Sequence, residues 1–159
     1  MEDGTFPPGT AAWEKRGIAM QVPVWQPEGC TQCNQCAFIC PHAAIRPALL
    51  SSEEREVAPA ALLSKPAQGA KHYEYHLAIS PLDCSGCGNC VDICPSKGKA
   101  LAMQPLDSQR PMIPVWDHAL ALTPKENPFS KATVKGCQFE TPLLEFSGAC
   151  AGCGETPYA

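Results

Sequence analysis

The sequence predicts an α+β fold built as a pseudo-twofold of two similar halves. Three observations predict it. A cysteine run recurs at an offset of 54 residues: over the twelve positions from Cys30 to Pro41, six are identical to Cys84–Pro95, namely the Cys and Pro positions together with Ile39 and Ile93. Strand-like segments flank each run, and each run contains a short helix-like stretch, so the order is strand, helix, strand, twice. A single short repeat of this kind describes duplicated half-domains, because a solenoid needs more stacked units.

The elements run in order along the chain. Residues 1–21 read as an extension, with Pro7, Pro8 and Gly9 ahead of a short helical turn around Ala11–Arg16. Met20–Trp25 (MQVPVW) predicts a strand entering the first cysteine loop, Asn34–Ile39 a short helix carrying Cys36 and Cys40, and Ile45–Leu50 the return strand. Residues 51–71 then intervene. They begin acidic (Glu53, Glu54, Glu56), become Ala/Pro-rich, and read as an insertion whose charge run forms a solvated face. His72–Ile79 alternates: Tyr73, Tyr75, Leu77 and Ile79 share one face, and His72, Glu74, His76 and Ala78 the other, which predicts a half-buried strand. The second cysteine loop, a helix near Asn89–Ile93 and a strand at Ala100–Gln104 complete the second half. Beyond that strand the chain is punctuated by prolines 105, 111, 114, 124 and 128, so residues 106–134 read as a connector lying over another surface, with a short helix at Trp116–Leu122.

Eight of the eleven cysteines carry the chemistry. Both runs read C-x2-C-x2-C-x3-C-P, the ligand run of bacterial two-cluster ferredoxins, so the fold expected is ferredoxin-like with two [4Fe–4S] clusters. Three cysteines spaced by two residues wrap one side of a cube, since a tight loop turns each side chain inward. The fourth has entered a helix and points away to the other cluster, and the following proline turns the chain. The expected ligation is therefore crossed: Cys30, Cys33, Cys36 and Cys94 for cluster one, Cys84, Cys87, Cys90 and Cys40 for cluster two. A structural zinc site wants two CxxC pairs or Cys/His mixtures and has no use for the third cysteine of CxxCxxC. A disulfide framework belongs to exported chains, and MEDGTFPPGT has no apolar leader segment.

Composition bounds the rest. A net charge of −4 suggests no nucleic-acid footprint. No apolar run approaches the roughly 18 residues of a membrane span. Many cysteines without an export leader imply a reducing compartment, so a cytoplasmic location is expected. Only 18% of residues are charged and 17 are proline, so much of the chain is expected to pack against something larger.

The tail carries Cys150-Ala-Gly-Cys153-Gly-Glu155. Two thiolates complete no tetrahedral site, so on spacing alone this CxxC is an incomplete site needing partners from elsewhere. Here the residues match a known family. GCQFETPLLEFSGACAGCGETPY resembles the opening of the last thiamine-diphosphate domain of pyruvate:ferredoxin (flavodoxin) oxidoreductases, and DGTFPPGTAAWEKRGIAMQVPVWQPEGCTQCNQCAFICPHAAIRP resembles the entry to their two-cluster ferredoxin domain. The likeness runs through nearly the whole chain and is weakest in residues 51–71.

The resemblance implies a division into an N-terminal extension (1–21), a two-cluster ferredoxin domain (22–105), a connector (106–134) and the start of a thiamine-diphosphate domain (135–159). It implies that Cys150 and Cys153 ligate a third [4Fe–4S] cluster whose other ligands lie further downstream, and that Glu155 contacts thiamine diphosphate, which binds with Mg only in the complete enzyme. Cys137 departs from the family pattern, which has serine there, and is read as a small thiol outside the ligand set. The chain is expected to be a fragment, catalytically incomplete alone, whose partners are the remaining domains, pyruvate and coenzyme A in the parent, and external ferredoxin or flavodoxin. Two competing readings are a free two-cluster ferredoxin and a ferredoxin-type subunit of another 2-oxoacid oxidoreductase. The CAGCGETPY tail argues against both.

Overall fold

In a computed structural model the described residues are 15–140. The motif at Cys150, Cys153 and Glu155 lies outside them, as does most of the turn expected at Ala11–Arg16. Strand β1 (Gln21–Trp25) leads through a 3-10 turn into the first cysteine loop, α1 (Gln35–Ile39) and β2 (Ile45–Leu50). The insertion holds α2 (Ser52–Glu56) and β3 (Lys65–Pro66). The second half supplies β4 (Glu74–Ile79), α3 (Asn89–Asp92) and β5 (Leu101–Pro105), followed by α4 (Leu106–Gln109), α5 (Ile113–Leu120) and α6 (Val134–Cys137).

The sheet pairing exchanges the halves. β1 pairs antiparallel with β5, from Gln21 opposite Pro105 to Trp25 opposite Leu101. β2 pairs antiparallel with β4, from Ile45 opposite Ile79 to Leu50 opposite Glu74. Each two-stranded ladder thus joins a strand of one half to a strand of the other, and α1 packs against α3. The family-level result is an α+β ferredoxin-like fold.

β4 departs from the expected half-burial. Tyr75, His76, Leu77 and Ala78 are all buried. One face, with Tyr75 and Leu77, joins the core made with Trp25, Ile45, Leu49 and Leu101. The other is covered from the connector: α5 lies on β4 and buries Val115 and Trp116, with Val115 packed on Leu50 and Leu62. The helix starts earlier than the expected Trp116 because Pro114, in its first turn, supplies a pre-set φ and needs no donor there.

Burial on that second face has a measurable consequence at His76. Its Nδ1 lies 2.7 Å from the Leu63 carbonyl, so Nδ1–H donates and Nε2 is unprotonated. Burial pushes its pKa down to about 4; the Leu63 carbonyl opposes this, and nearby His118 and Arg55 add to it. The unfolded ring, with its ordinary value near 6.5, takes a proton that the folded ring refuses. The contribution to stability is therefore complete above about pH 6.5 and is lost as pH falls toward 4, by up to about 3 kcal/mol. Unfolding measured against pH should show this slope in the parent and not in His76→Gln. Equal slopes would exclude it.

The insertion also departs from a purely solvated acidic run. Ser51 accepts from the Glu54 amide while the Glu54 carboxylate accepts from the Ser51 amide, a capping box worth about 1 kcal/mol. The second oxygen of Glu54 meets Lys125 Nζ at 2.7 Å, with both side chains less than a fifth exposed. Burial would raise the Glu54 pKa, but the Lys125 and Ser51 hydrogen bonds outweigh it and hold the carboxyl below its usual range. The pair ties the insertion to the connector.

Candidate metal centres

The two cysteine loops have the same backbone, reached by different residues. In the second loop Gly86 and Gly88 are left-handed, with φ of 75° and 79°. At the equivalent positions of the first loop stand Gln32 and Asn34, with φ of 57° and 60°. A non-glycine residue there costs about 1–2 kcal/mol. Both side chains are buried and doubly bonded. Gln32 Nε2 donates to the Pro66 carbonyl and its Oε1 accepts from the Gln68 amide, each at 2.8 Å. Asn34 Nδ2 donates to the Lys135 carbonyl at 2.9 Å, and its Oδ1 accepts from the buried Tyr75 hydroxyl at 2.7 Å. Two hydrogen bonds of about 1 kcal/mol each offset the strain. The first loop is held open by side chains clamped to the insertion and the connector; the second is held open by glycine.

This geometry turns the thiols inward. The Gln32 amide points at Cys30 Sγ (3.4 Å) and, at the same place in the repeat, the Gly86 amide points at Cys84 Sγ (3.3 Å). α1 begins after Asn34 and α3 after Gly88. Each helix carries the third cysteine of its run in its first turn and brings the fourth one turn on, displaced about 6 Å along the axis. Cys40 caps the end of α1 with extended backbone, and its amide bonds the Ala37 carbonyl. The Cys94 amide bonds Val91 in the same way.

Two concavities result. One, of about 320 Å³, is lined by Cys30, Cys33, Cys36 and Cys94, with Trp25, Tyr75 and Leu101 behind them. The other, of about 350 Å³, is lined by Cys40, Cys84, Cys87 and Cys90, with Pro23, His42 and Ile45. The donor set fits iron–sulfur clusters: four soft thiols face each space, with amide N–H groups turned to sulfur. Among the described residues no three His, Cys, Asp or Glu side chains converge as tightly as ligands of one metal ion.

The electrostatics of the metal-free thiols agree with a buried site. Burial pushes Cys36 up to about 12, with Cys30 and Cys33 adding to it. Burial likewise raises Cys90 to about 12, reinforced by Cys84 and Cys40. At Cys94 burial acts upward too, but the Ala100 and Ser96 hydrogen bonds and Lys99 outweigh it and lower the pKa. Ligation must displace these protons, so metal binding and thiol ionisation are coupled.

The profile of the 4Fe-4S dicluster domain family matches residues 29–98, and that of a domain of unknown function matches residues 1–19. The chain is 86% identical, over its whole length, to a pyruvate-flavodoxin oxidoreductase of Klebsiella pneumoniae and 70% identical to one of Enterobacter agglomerans. It is 54% identical over 98% of its length to a pyruvate:ferredoxin oxidoreductase of Moorella thermoacetica. The chain belongs to this oxidoreductase family. It spans 14% of the length of each of these relatives. An iron–sulfur domain is thus shown for this segment of the family. Among the described residues no helix is long and apolar enough to cross a membrane.

Within this family segment, Cys137 stands apart from both concavities. It lies in α6, where its thiol meets the Val134 carbonyl and the Gln138 amide. Gln32, Asn34 and Tyr75 were not singled out by cysteine spacing. Aligning the two runs would have found the first two, since glycine at 86 and 88 marks a left-handed backbone that residues 32 and 34 must share.

Gly86 also has no room. A Cβ there would stand 2.9 Å from the Gln21 carbonyl oxygen and 3.2 Å from the Ala19 Cβ. Gly86→Ala is expected to cost about 1–3 kcal/mol and to lower iron content at the second centre alone. Iron analysis with a thermal melt checks this, and full iron with an unchanged melt would show that the loop yields.

Proposed function

We propose that the chain is the electron-relay segment of a pyruvate:ferredoxin (flavodoxin) oxidoreductase and that it holds two [4Fe–4S] clusters by crossed ligation. Cys30, Cys33, Cys36 and Cys94 would bind cluster one, and Cys84, Cys87, Cys90 and Cys40 cluster two. The observation that carries this reading is the pair of four-cysteine concavities, each taking three thiols from one loop and the fourth from the other half. Bound there, each cluster supplies one-electron redox chemistry. The polypeptide fixes the thiols, turns amides toward them and excludes water. The pseudo-twofold relation between halves is part of the same proposal, supported by the pairing of β1 with β5 and β2 with β4.

The surroundings give the relay a direction. The first centre lies beneath the insertion, through Gln32, and beneath the segment entering the tail, where Lys135 meets Asn34 and the Phe139 ring stands 6.4 Å from Tyr75. The second centre has the exposed Cys87, and nothing lies within 4 Å of the open side of Gly88. We read cluster one as the inner station, next to the chain leading to Cys150 and Cys153, and cluster two as the outer one, facing a ferredoxin or flavodoxin acceptor. The domain limits, the third cluster at Cys150 and Cys153, and the thiamine contact of Glu155 rest on family resemblance. In this reading electrons originate in pyruvate oxidation with coenzyme A as acetyl acceptor, chemistry carried by parts of the enzyme other than this segment.

Anaerobic reconstitution followed by iron and sulfide analysis tests it. The two four-thiol sites require close to eight of each per chain outside the tail motif, about four per cubane. A value near four would mean a single cluster and would sink the crossed scheme.

A further inference from the structure

Among the described residues, three lysine ammoniums without a carboxylate partner gather around the first centre, whereas the lysine nearest the second, Lys15, is paired with Asp83. Lys65 of β3, inside the insertion, donates from Nζ to the Cys30 carbonyl at 3.0 Å and to the Pro27 carbonyl at 2.7 Å. Lys99, just after the second motif, donates to the Cys94 carbonyl at 2.9 Å and the Asp92 carbonyl at 3.2 Å. Lys135 of α6 donates to the Gln68 carbonyl at 2.8 Å and lies 4.3 Å from the centre of the Phe129 ring. The first-loop cysteine Cys33 acts on it electrostatically, while its backbone carbonyl holds Asn34. An ammonium bonded to a cysteine's carbonyl stands within about 8 Å of that cysteine's sulfur by covalent geometry.

The second centre is different. Among the described residues no lysine ammonium is hydrogen-bonded to a carbonyl of Cys40, Cys84, Cys87 or Cys90. Besides the thiols, the ionisable side chain in that wall is His42; Arg46 Nε donates to the neighbouring Ala43 carbonyl at 3.3 Å with its guanidinium over Trp116, and Asp83 beside Cys84 is engaged by Lys15 at 2.5 Å and Ser80 at 2.6 Å.

We propose that Lys65, Lys99 and Lys135 are positioning counter-charges that raise the reduction potential of the first cluster selectively. The reduced form of a four-thiolate cluster carries one more negative charge than the oxidised form, so a fixed cation nearby favours reduction. The first centre has Trp25 and Tyr75 in its wall, and an apolar, aromatic wall disfavours added charge, which a nearby cation offsets. The inference rests on the crossed ligation proposed above. It also gives the insertion a task, since Lys65 and the carbonyl that fixes Gln32 both belong to it.

The experiment is an EPR-monitored redox titration of the full-length protein, with Cys30→Ser and Cys84→Ser used to assign each signal to its centre. Lys65→Met and Lys135→Met keep the apolar stem and remove the charge. Each should lower the reduced-to-oxidised ratio of the first cluster at fixed potential about tenfold, about 59 mV for a one-electron couple. The second cluster should move much less. Lys99 is exposed, so Lys99→Met should give a smaller, salt-screened shift of the same sign. Lys65→Arg and Lys135→Arg should restore the parent value, which a loss of packing alone would not predict. Because Lys99 is exposed, Lys99→Met leaves no cavity and removes only the charge and its two carbonyl bonds, so it decides the matter even if another variant loads iron poorly: an unmoved first-cluster potential at low salt overturns the inference. Equal shifts at both clusters also overturn it. A parent protein with about four irons overturns the crossed ligation as well, whereas about eight irons with no selective shift overturns the lysine assignment alone.

Discussion

Cys40→Ala is expected to destroy the cluster of the second motif, although Cys40 belongs to the first. Cys40 ends α1, one turn beyond Cys36, and lines the concavity of Cys84, Cys87 and Cys90. Removing it leaves three thiolates for a four-iron site, while Cys30, Cys33, Cys36 and Cys94 keep their geometry. Reduced Cys40→Ala should therefore lose the EPR signal that Cys84→Ala loses and keep the signal that Cys30→Ala loses. Iron should drop by about half, one cubane of two. The reciprocal change, Cys94→Ala, should remove the first cluster instead. If Cys40→Ala and Cys30→Ala delete the same signal, each loop keeps its own fourth cysteine and the halves are not crossed.

The parts legible in the sequence were those written in local pattern. The strand at Ile45–Leu50 came out residue for residue, the other expected strands and the loop helices shifted by a residue or two at their ends, and the short β3 inside the insertion was not expected. The cysteine spacing pointed to four-thiol sets because a tight loop and one helical turn are local geometry. What spacing could not carry was contact at a distance. The alternation of β4 suggested one wet face, but α5 returns some forty residues later to cover it, so His76 is buried where water was expected. The capping box at Ser51 and Glu54 was available as a local signal in an acidic run that reads as solvated. Gln32 and Asn34 are marked as left-handed only through the glycines at 86 and 88 in the repeat, and nothing nearby marks their partners Pro66, Gln68, Tyr75 and Lys135. The same holds for Lys65 and Lys135, whose contacts with the first centre depend on the insertion and on α6 folding back over the loop.

Removing the iron should cost the segment its cooperative fold. The principal core consists of Trp25, Ile45, Leu49, Tyr75, Leu77, Leu101 and four smaller residues, and several of its bordering side chains are the thiols themselves: Cys30, Cys36 and Cys40 pack against it, and Cys90 is within it. The clusters would fill the space these thiols surround. Without them the core is bordered by two concavities whose walls are largely apolar. Thiols pushed up to about 12 at Cys36 and Cys90 add no charge to repel the walls, yet they supply no atoms to fill the space either. The strained left-handed backbone at Gln32 and Asn34 then costs about 1–2 kcal/mol per residue with fewer rigid partners behind it. Small domains hold only a few kcal/mol of net stability, and metal affinity in such sites is folding free energy. Chelation or oxidative loss of the clusters should therefore abolish cooperative unfolding across residues 20–105, read by near-UV circular dichroism and by loss of amide protection in β1, β4 and β5. The second sheet face gives the test its edge. Leu50, Leu62 and Val115 form a separate apolar cluster beneath α5 that touches no ligand cysteine. If protection survives there while it disappears around Trp25 and Tyr75, unfolding is local to the centres. If the whole segment stays protected without iron, its apolar core suffices and the clusters serve electron transfer alone.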